Sequence, residues 1–121
     1  MLRRMLLIQL AALCAPALAA EPQVIEVKLE SYAVKPDTIT VKVGQPVTLK
    51  VRNEATFIPH NLVIKAPDAG IDVKLDLAAC KSGEVSFTPT KAGRYEMVCD
   101  KAPPIGKSHK EKGMHGILVV E

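Results

Sequence analysis

Cys99, His109 and Met114 stand shortly before a C-terminal apolar run, Ile117 to Val120, and His60 lies upstream in the segment FIPHNLVI. Together they offer one thiolate, two imidazoles and one thioether. Soft sulfur combined with imidazole suits copper that cycles between two oxidation states, with His₂Cys as strong donors and a long axial Met. Zinc accepts the same Cys and His, so the thioether is what favours copper. No other stretch of the sequence has comparable chemical content.

Such donors must be carried by rigid elements, and the pattern of the chain is that of strands. In VIEVKLES, Ile25, Val27 and Leu29 alternate with Glu26, Lys28 and Glu30, the period of two of a half-buried strand. Ile39, Val41 and Val43 alternate likewise, Gly44-Gln45-Pro46 marks a turn, and Val47, Leu49 and Val51 resume the pattern. Further strands are expected over 61–65, 84–88, 94–98 and 117–120. The stretch KAPDAGIDVKLDLAACKSG is the least strand-like and reads as a loop or short irregular helix. Seven to eight short strands separated by turns imply an all-β fold, an antiparallel Greek-key sandwich.

The first twenty residues, MLRRMLLIQLAALCAPALAA, combine Arg3 and Arg4 with an apolar run and small residues at the end. That is the pattern of a secretory signal peptide, cleaved after Ala17-Leu18-Ala19, leaving one domain over 21–121. The apolar run is too short for a membrane span, so no stable membrane anchor is expected. About 100 residues remain, enough for a single domain. Setting Arg3 and Arg4 aside, 16 − 2 = 14 basic residues face 13 acidic ones, a net of +1. That balance, with few aromatics, gives no support to nucleic-acid binding. No Ser sits in a nucleophile elbow, so an enzyme of that kind is not expected.

Export places the chain in an oxidising compartment, where Cys80 and Cys99 would pair by default. The His and Met that follow Cys99 argue for a metal instead. The segment 84–88 is expected to form a hairpin with 94–98 through TPTKAG, which puts Cys80 at the same end of the sandwich as Cys99.

Several segments resemble the cupredoxins, the small blue-copper proteins, over nearly all of 24–120. KPDTITVKVGQPVTLKVRNEA is similar to the family's first hairpin, IPHNLVI to the Pro-His-Asn segment, and AGRYEMVCD to the strand that delivers a cysteine. HKEKGMHGILVV has the family's spacing of His, four residues, Met, one residue, Gly. The resemblance implies a cupredoxin fold with one copper ion held by His60, Cys99 and His109, and by Met114 as the weak axial ligand. His115 is the competing neighbour of Met114. Asn61, beside His60, is expected to help tie the two ligand loops together by side-chain hydrogen bonds.

One departure is large: nine residues, DKAPPIGKS, separate Cys99 from His109, considerably more than in familiar members. Lys101, Lys107, Lys110 and Lys112 outnumber Asp100 and Glu111 in this loop, which suits an acidic redox partner such as a cytochrome or oxidoreductase. The expectation is a periplasmic, monomeric, non-enzymatic one-electron carrier. The alternative is a periplasmic copper-delivery protein without redox turnover, which the long loop, His115 and Met97 would suit.

Overall fold

The computed structural model describes residues 21–101 and 114–121. In chain order its strands are β1 (Gln23–Glu30), β2 (Ala33–Lys35), β3 (Thr38–Val41), β4 (Val47–Asn53), β5 (His60–Ala66), β6 (Ile71–Leu77), β7 (Ser82–Phe87), β8 (Gly93–Val98) and β9 (His115–Val120). A single 3₁₀ turn, Pro67–Ala69, links β5 to β6. The expected signal peptide and His109 lie outside the described residues. Among those residues no helix is long and apolar enough to cross a membrane.

The strands form two sheets, ordered β2-β1-β4-β7 and β3-β9-β8-β5-β6. Alternation in sequence becomes alternation in burial: Val27 and Leu29 point inward from β1, and Val47, Leu49 and Val51 from β4, while Glu26, Lys28, Lys50 and Arg52 face solvent. Leu62, Ile64 and Leu118 fill the core from the opposite sheet. The all-β sandwich is therefore the architecture expected from the sequence.

Four details differ from expectation. Nine strands are present among the described residues, partly because Pro36 divides what reads as one segment. Proline cannot donate to a ladder, and the chain changes sheets there: β2 pairs with β1, whereas β3 pairs with β9.

The sandwich is not purely antiparallel, since β1 runs parallel to β4 and β3 parallel to β9. Both pairs join segments that are not consecutive, so no hairpin turn dictates their direction. The stretch read as a loop contains β6, antiparallel to β5 from His60↔Leu77 to Ala66↔Ile71. Ile71, Val73 and Leu77 are buried from it; the flanking Pro67 and Gly70 disguise the pattern. Gly70 adopts a left-handed φ of 72° and bonds back to the Pro67 carbonyl, a conformation glycine adopts without steric cost.

Finally, β7 and β8 are not a hairpin, for β7 pairs with β4 in one sheet and β8 with β9 in the other. The antiparallel pairing of β4 and β7 nevertheless starts β7 at the end where β4 stops.

These directions bring four chain segments to one pole: the exit of β4, the start of β5, the exit of β8 and the start of β9. Gly116 lets two of the pieces approach. A Cβ there would lie 2.5 Å from the Asp37 carbonyl oxygen and 3.1 Å from the Met97 methyl. Gly116→Ala is expected to destabilise the fold by about 1–3 kcal/mol, the usual cost of forcing extra volume into a packed site, as read by chemical denaturation.

Candidate metal centre

Cys99 follows directly on β8, and its backbone N–H donates to the Met114 carbonyl at 3.2 Å. This bond extends the β8–β9 pairing by one step, beyond Val98↔His115. Cys99 and Met114 are consequently held side by side, and both are fully buried. His60 opens β5 and is also fully buried. Its Nδ1 lies 3.7 Å from the Cys99 sulfur, although the two residues are 39 positions apart. The structure thus brings together His60, Cys99 and Met114 of the residues singled out by sequence.

His115, the competing neighbour, is exposed on β9 and lines a shallow cavity with Lys35, Pro36 and Asp37. Strand alternation accounts for this: Met114 points inward and the next residue outward. Among the described residues no group of three His, Cys, Asp or Glu side chains could hold a metal ion. The donors assembled there are one imidazole and one thiol, beside a thioether.

The support around these donors is polar and specific. The backbone N–H of Asn61 donates to the Cys99 sulfur at 3.4 Å. The Asn61 side chain accepts from the Asp100 backbone N–H at 3.0 Å and donates to the Asp100 carboxylate at 2.6 Å. One residue therefore clamps the His60 segment to the Cys99 segment at three points. Lys101 continues the bracing with an ion pair to Asp76 of β6 at 3.3 Å.

The hydrogen bond from Lys101 holds the Asp76 carboxyl below its ordinary value of 3.8; burial opposes the shift, and the charge of Lys101 and the Asn61 amide assist it. A carboxyl lowered by folding contributes stability above its unfolded pKa and loses it as pH falls through the folded value. Lys101→Met is expected to return Asp76 towards 3.8, measurable by carboxyl ¹³C titration.

Asn53 is a site residue that the sequence argument passed over. It is fully buried at the exit of β4, and its amide donates to the carbonyls of Ile58, Leu77 and Ala78 at 2.9, 3.2 and 3.3 Å. Its side-chain oxygen accepts from the Ala55 N–H at 3.0 Å. It braces the 54–59 loop that delivers His60. The signal was present: Asn53 occupies the inward register of Val47, Leu49 and Val51, where a polar residue needs partners. Asp100 was likewise noted only as a charge.

Cys80 is exposed and Cys99 buried, and neither is in a disulfide. Cys80 sits in a turn with φ 62°, and its N–H donates to the Ala55 carbonyl at 3.2 Å. The expected position at the pole of Cys99 is the observed one, reached through β4 rather than through a β8 hairpin.

The structure is thus a two-sheet β-sandwich with a buried thiol, imidazole and thioether at one pole. The chain belongs to the cupredoxin-like domain family, whose family model matches residues 3–120. A comparison with curated protein sequences finds no match.

Among solved structures, the chain is similar to dithionite-reduced auracyanin from Roseiflexus castenholzii, with TM-score 0.68 and 24% identity over 84% of this chain and 98% of that one. It is also similar to auracyanin A, a "blue" copper protein from Chloroflexus aurantiacus, with TM-score 0.65 and 26% identity over 84% and 100%. The metal-binding domain of the Cu(I)-exporting P-type ATPase of Streptococcus pneumoniae D39 shares the fold, with TM-score 0.63 and 17% identity over 83% and 86%.

Proposed function

We propose that the protein is an exported, periplasmic copper protein that passes single electrons through a mononuclear type 1-like site. His60, Cys99 and His109 are its strong donors and Met114 its weak axial one. The observation that carries this reading is the convergence of the His60 Nδ1 and the Cys99 sulfur, 3.7 Å apart with both residues fully buried. Two donors bonded to one ion at about 2.0 and 2.3 Å, with an angle near 120°, stand roughly that far apart. The soft sulfur donors suit copper in particular.

Copper bound by thiolate and imidazole supplies a one-electron couple at this site. The protein's share is to keep the donors in place while the charge changes. Cys99 and His60 are fixed by strands of one sheet, and the Asn61–Asp100 clamp ties their segments together. The Asn61 N–H to the sulfur withdraws electron density from the thiolate and so tunes the potential. Burial keeps water from the donors. The auracyanin likeness supports a carrier over an enzyme, and an acidic redox protein is the partner.

The experiment is voltammetry of the copper-loaded protein. A reversible one-electron wave with rapid self-exchange supports the carrier. Tight Cu(I) binding without a reversible wave, and with transfer to an acceptor, replaces it with the delivery reading. That reading shares its fold with the Cu(I)-exporter domain.

A further inference from the structure

The residue that directly follows Cys99 carries a charge. The Asp100 carboxylate accepts from the Asn61 amide at 2.6 Å, and the Asp100 backbone N–H donates to the Asn61 side-chain oxygen at 3.0 Å. Asn61 is itself buried, and its backbone N–H donates to the Cys99 sulfur at 3.4 Å. The carboxylate is therefore fixed one residue along the chain from the thiol and joined to it again through Asn61. An uncharged amide in the same place could tie Asn61 too, so the clamp alone does not account for an ionised group there.

The charges around it leave it uncompensated. Lys101, the next cation in sequence, is engaged by Asp76 of β6, with 3.3 Å between its Nζ and the carboxylate oxygen. Asn61 and Asp76 are cross-strand partners. Two carboxylates and one ammonium thus gather around Asn61, a net of one negative charge. Among the described residues no cation forms an ion pair with Asp100. Asp100 is exposed, but its bond to Asn61 is partly buried, where a charge is shielded less than in bulk water.

We infer that Asp100 is a tuning residue whose fixed negative charge biases the copper centre towards Cu(II), with Lys101 limiting the bias. A negative charge stabilises a nearby cation in proportion to the cation's own charge. It therefore favours the oxidised ion and lowers the reduction potential. The Asn61 N–H on the sulfur acts in the opposite sense, because it draws electron density from the thiolate. Asn61 and Asp100 thus exert opposed pulls on one couple while holding each other in place. The inference deepens the copper-centre reading and rests on it, but it does not depend on electron transfer to a partner.

The test is Asp100→Asn, which keeps an oxygen for the Asn61 amide and removes the charge. The potential of the copper-loaded protein is read by redox titration, and the affinities for Cu(I) and Zn(II) by competition with chelators. Both are measured at low salt, where exposed charges are least screened. Asp100→Asn is expected to raise the ratio of Cu(I) to Cu(II) affinity by about 3–10-fold, where tenfold is about 59 mV for a one-electron couple. It is also expected to lower Zn(II) affinity by a larger factor than Cu(I) affinity. Lys101→Met removes a positive charge and is expected to move both readings the other way, by about 2–3-fold.

An unchanged potential in Asp100→Asn, or an equal change in Zn(II) and Cu(I) affinity, overturns the inference. Shifts of one sign in Asp100→Asn and Lys101→Met also overturn it, because loosening of the segment would then be the cause. Failure of the copper reading shows in the wild type, as absent copper binding. Failure of this inference shows in the variants alone, beside a wild type that binds copper.

Discussion

Cys99→Ser is expected to abolish the intense thiolate-to-copper visible absorption of the Cu(II)-loaded protein and to lower Cu(I) affinity more than about 100-fold, beyond the 10–100-fold that loss of an outer supporting group costs. The hydroxyl is a hard, weakly ionised donor, whereas the site offers copper a soft thiolate. The sulfur of Cys99 is fully buried and faces the His60 Nδ1, so no other thiol can replace it without moving the strands.

Cys80→Ser is the matched control. Cys80 is exposed and its sulfur bonds only weakly, at 3.6 Å, to the Ala55 carbonyl. Its loss is expected to leave spectrum and affinity as they are. Absorption spectra and competition with a Cu(I) chelator measure both variants. An unchanged band in Cys99→Ser would remove the thiol from the account.

A loss of stability as large as that from truncating an apolar core residue is expected at the polar Asn53. Its amide serves three carbonyls and its oxygen one N–H at the exit of β4, the bonds to Leu77 and Ala55 buried and those to Ile58 and Ala78 partly so. In Asn53→Ala these groups lose this partner together; the Ala78 carbonyl keeps the Lys81 N–H at 3.1 Å, but the buried groups left unsatisfied carry most of the cost of a lost hydrogen bond. The expected destabilisation is about 3 kcal/mol, a fall in Tm of roughly 12–24 °C for a domain of this size.

Asn53→Asp separates the two roles, because it keeps the acceptor for Ala55 but turns a carboxylate towards three carbonyl oxygens. It is expected to be at least as damaging as alanine. Calorimetry on both variants decides, and a loss below about 1 kcal/mol would show that the His60 loop does not depend on this clamp.

Much of the architecture was readable because apolar alternation is a direct imprint of a half-buried sheet. Val27 and Leu29, or Val47 to Val51, announce their strands without help. Harder to read were features decided by pairs of distant segments. Nothing local to Gln23–Glu30 says that its neighbour is β4 and that the two run parallel. Pro36 signals a break in a ladder, but the change of sheet depends on the available partner edges. Ile71, Val73 and Leu77 carried the signal of β6, yet Pro67, Gly70 and the interleaved charges made the segment look like a loop.

For the candidate site, residue types singled out His60, Cys99, His109 and Met114, of which the fold brings His60, Cys99 and Met114 to one pole while His109 lies outside the described residues. The supporting groups emerge only in three dimensions: Asp100 matters because Asn61, 39 positions away, reaches it. Asn53 offered an unused clue, a polar side chain on an inward register.

X-ray absorption at the copper edge of the copper-saturated protein tests the central claim most directly. The expected spectrum contains one short sulfur bond among nitrogen neighbours, and that short sulfur contribution vanishes in Cys99→Ser, leaving at most the long one of Met114. A wild-type spectrum with only nitrogen and oxygen around copper would contradict the proposed centre.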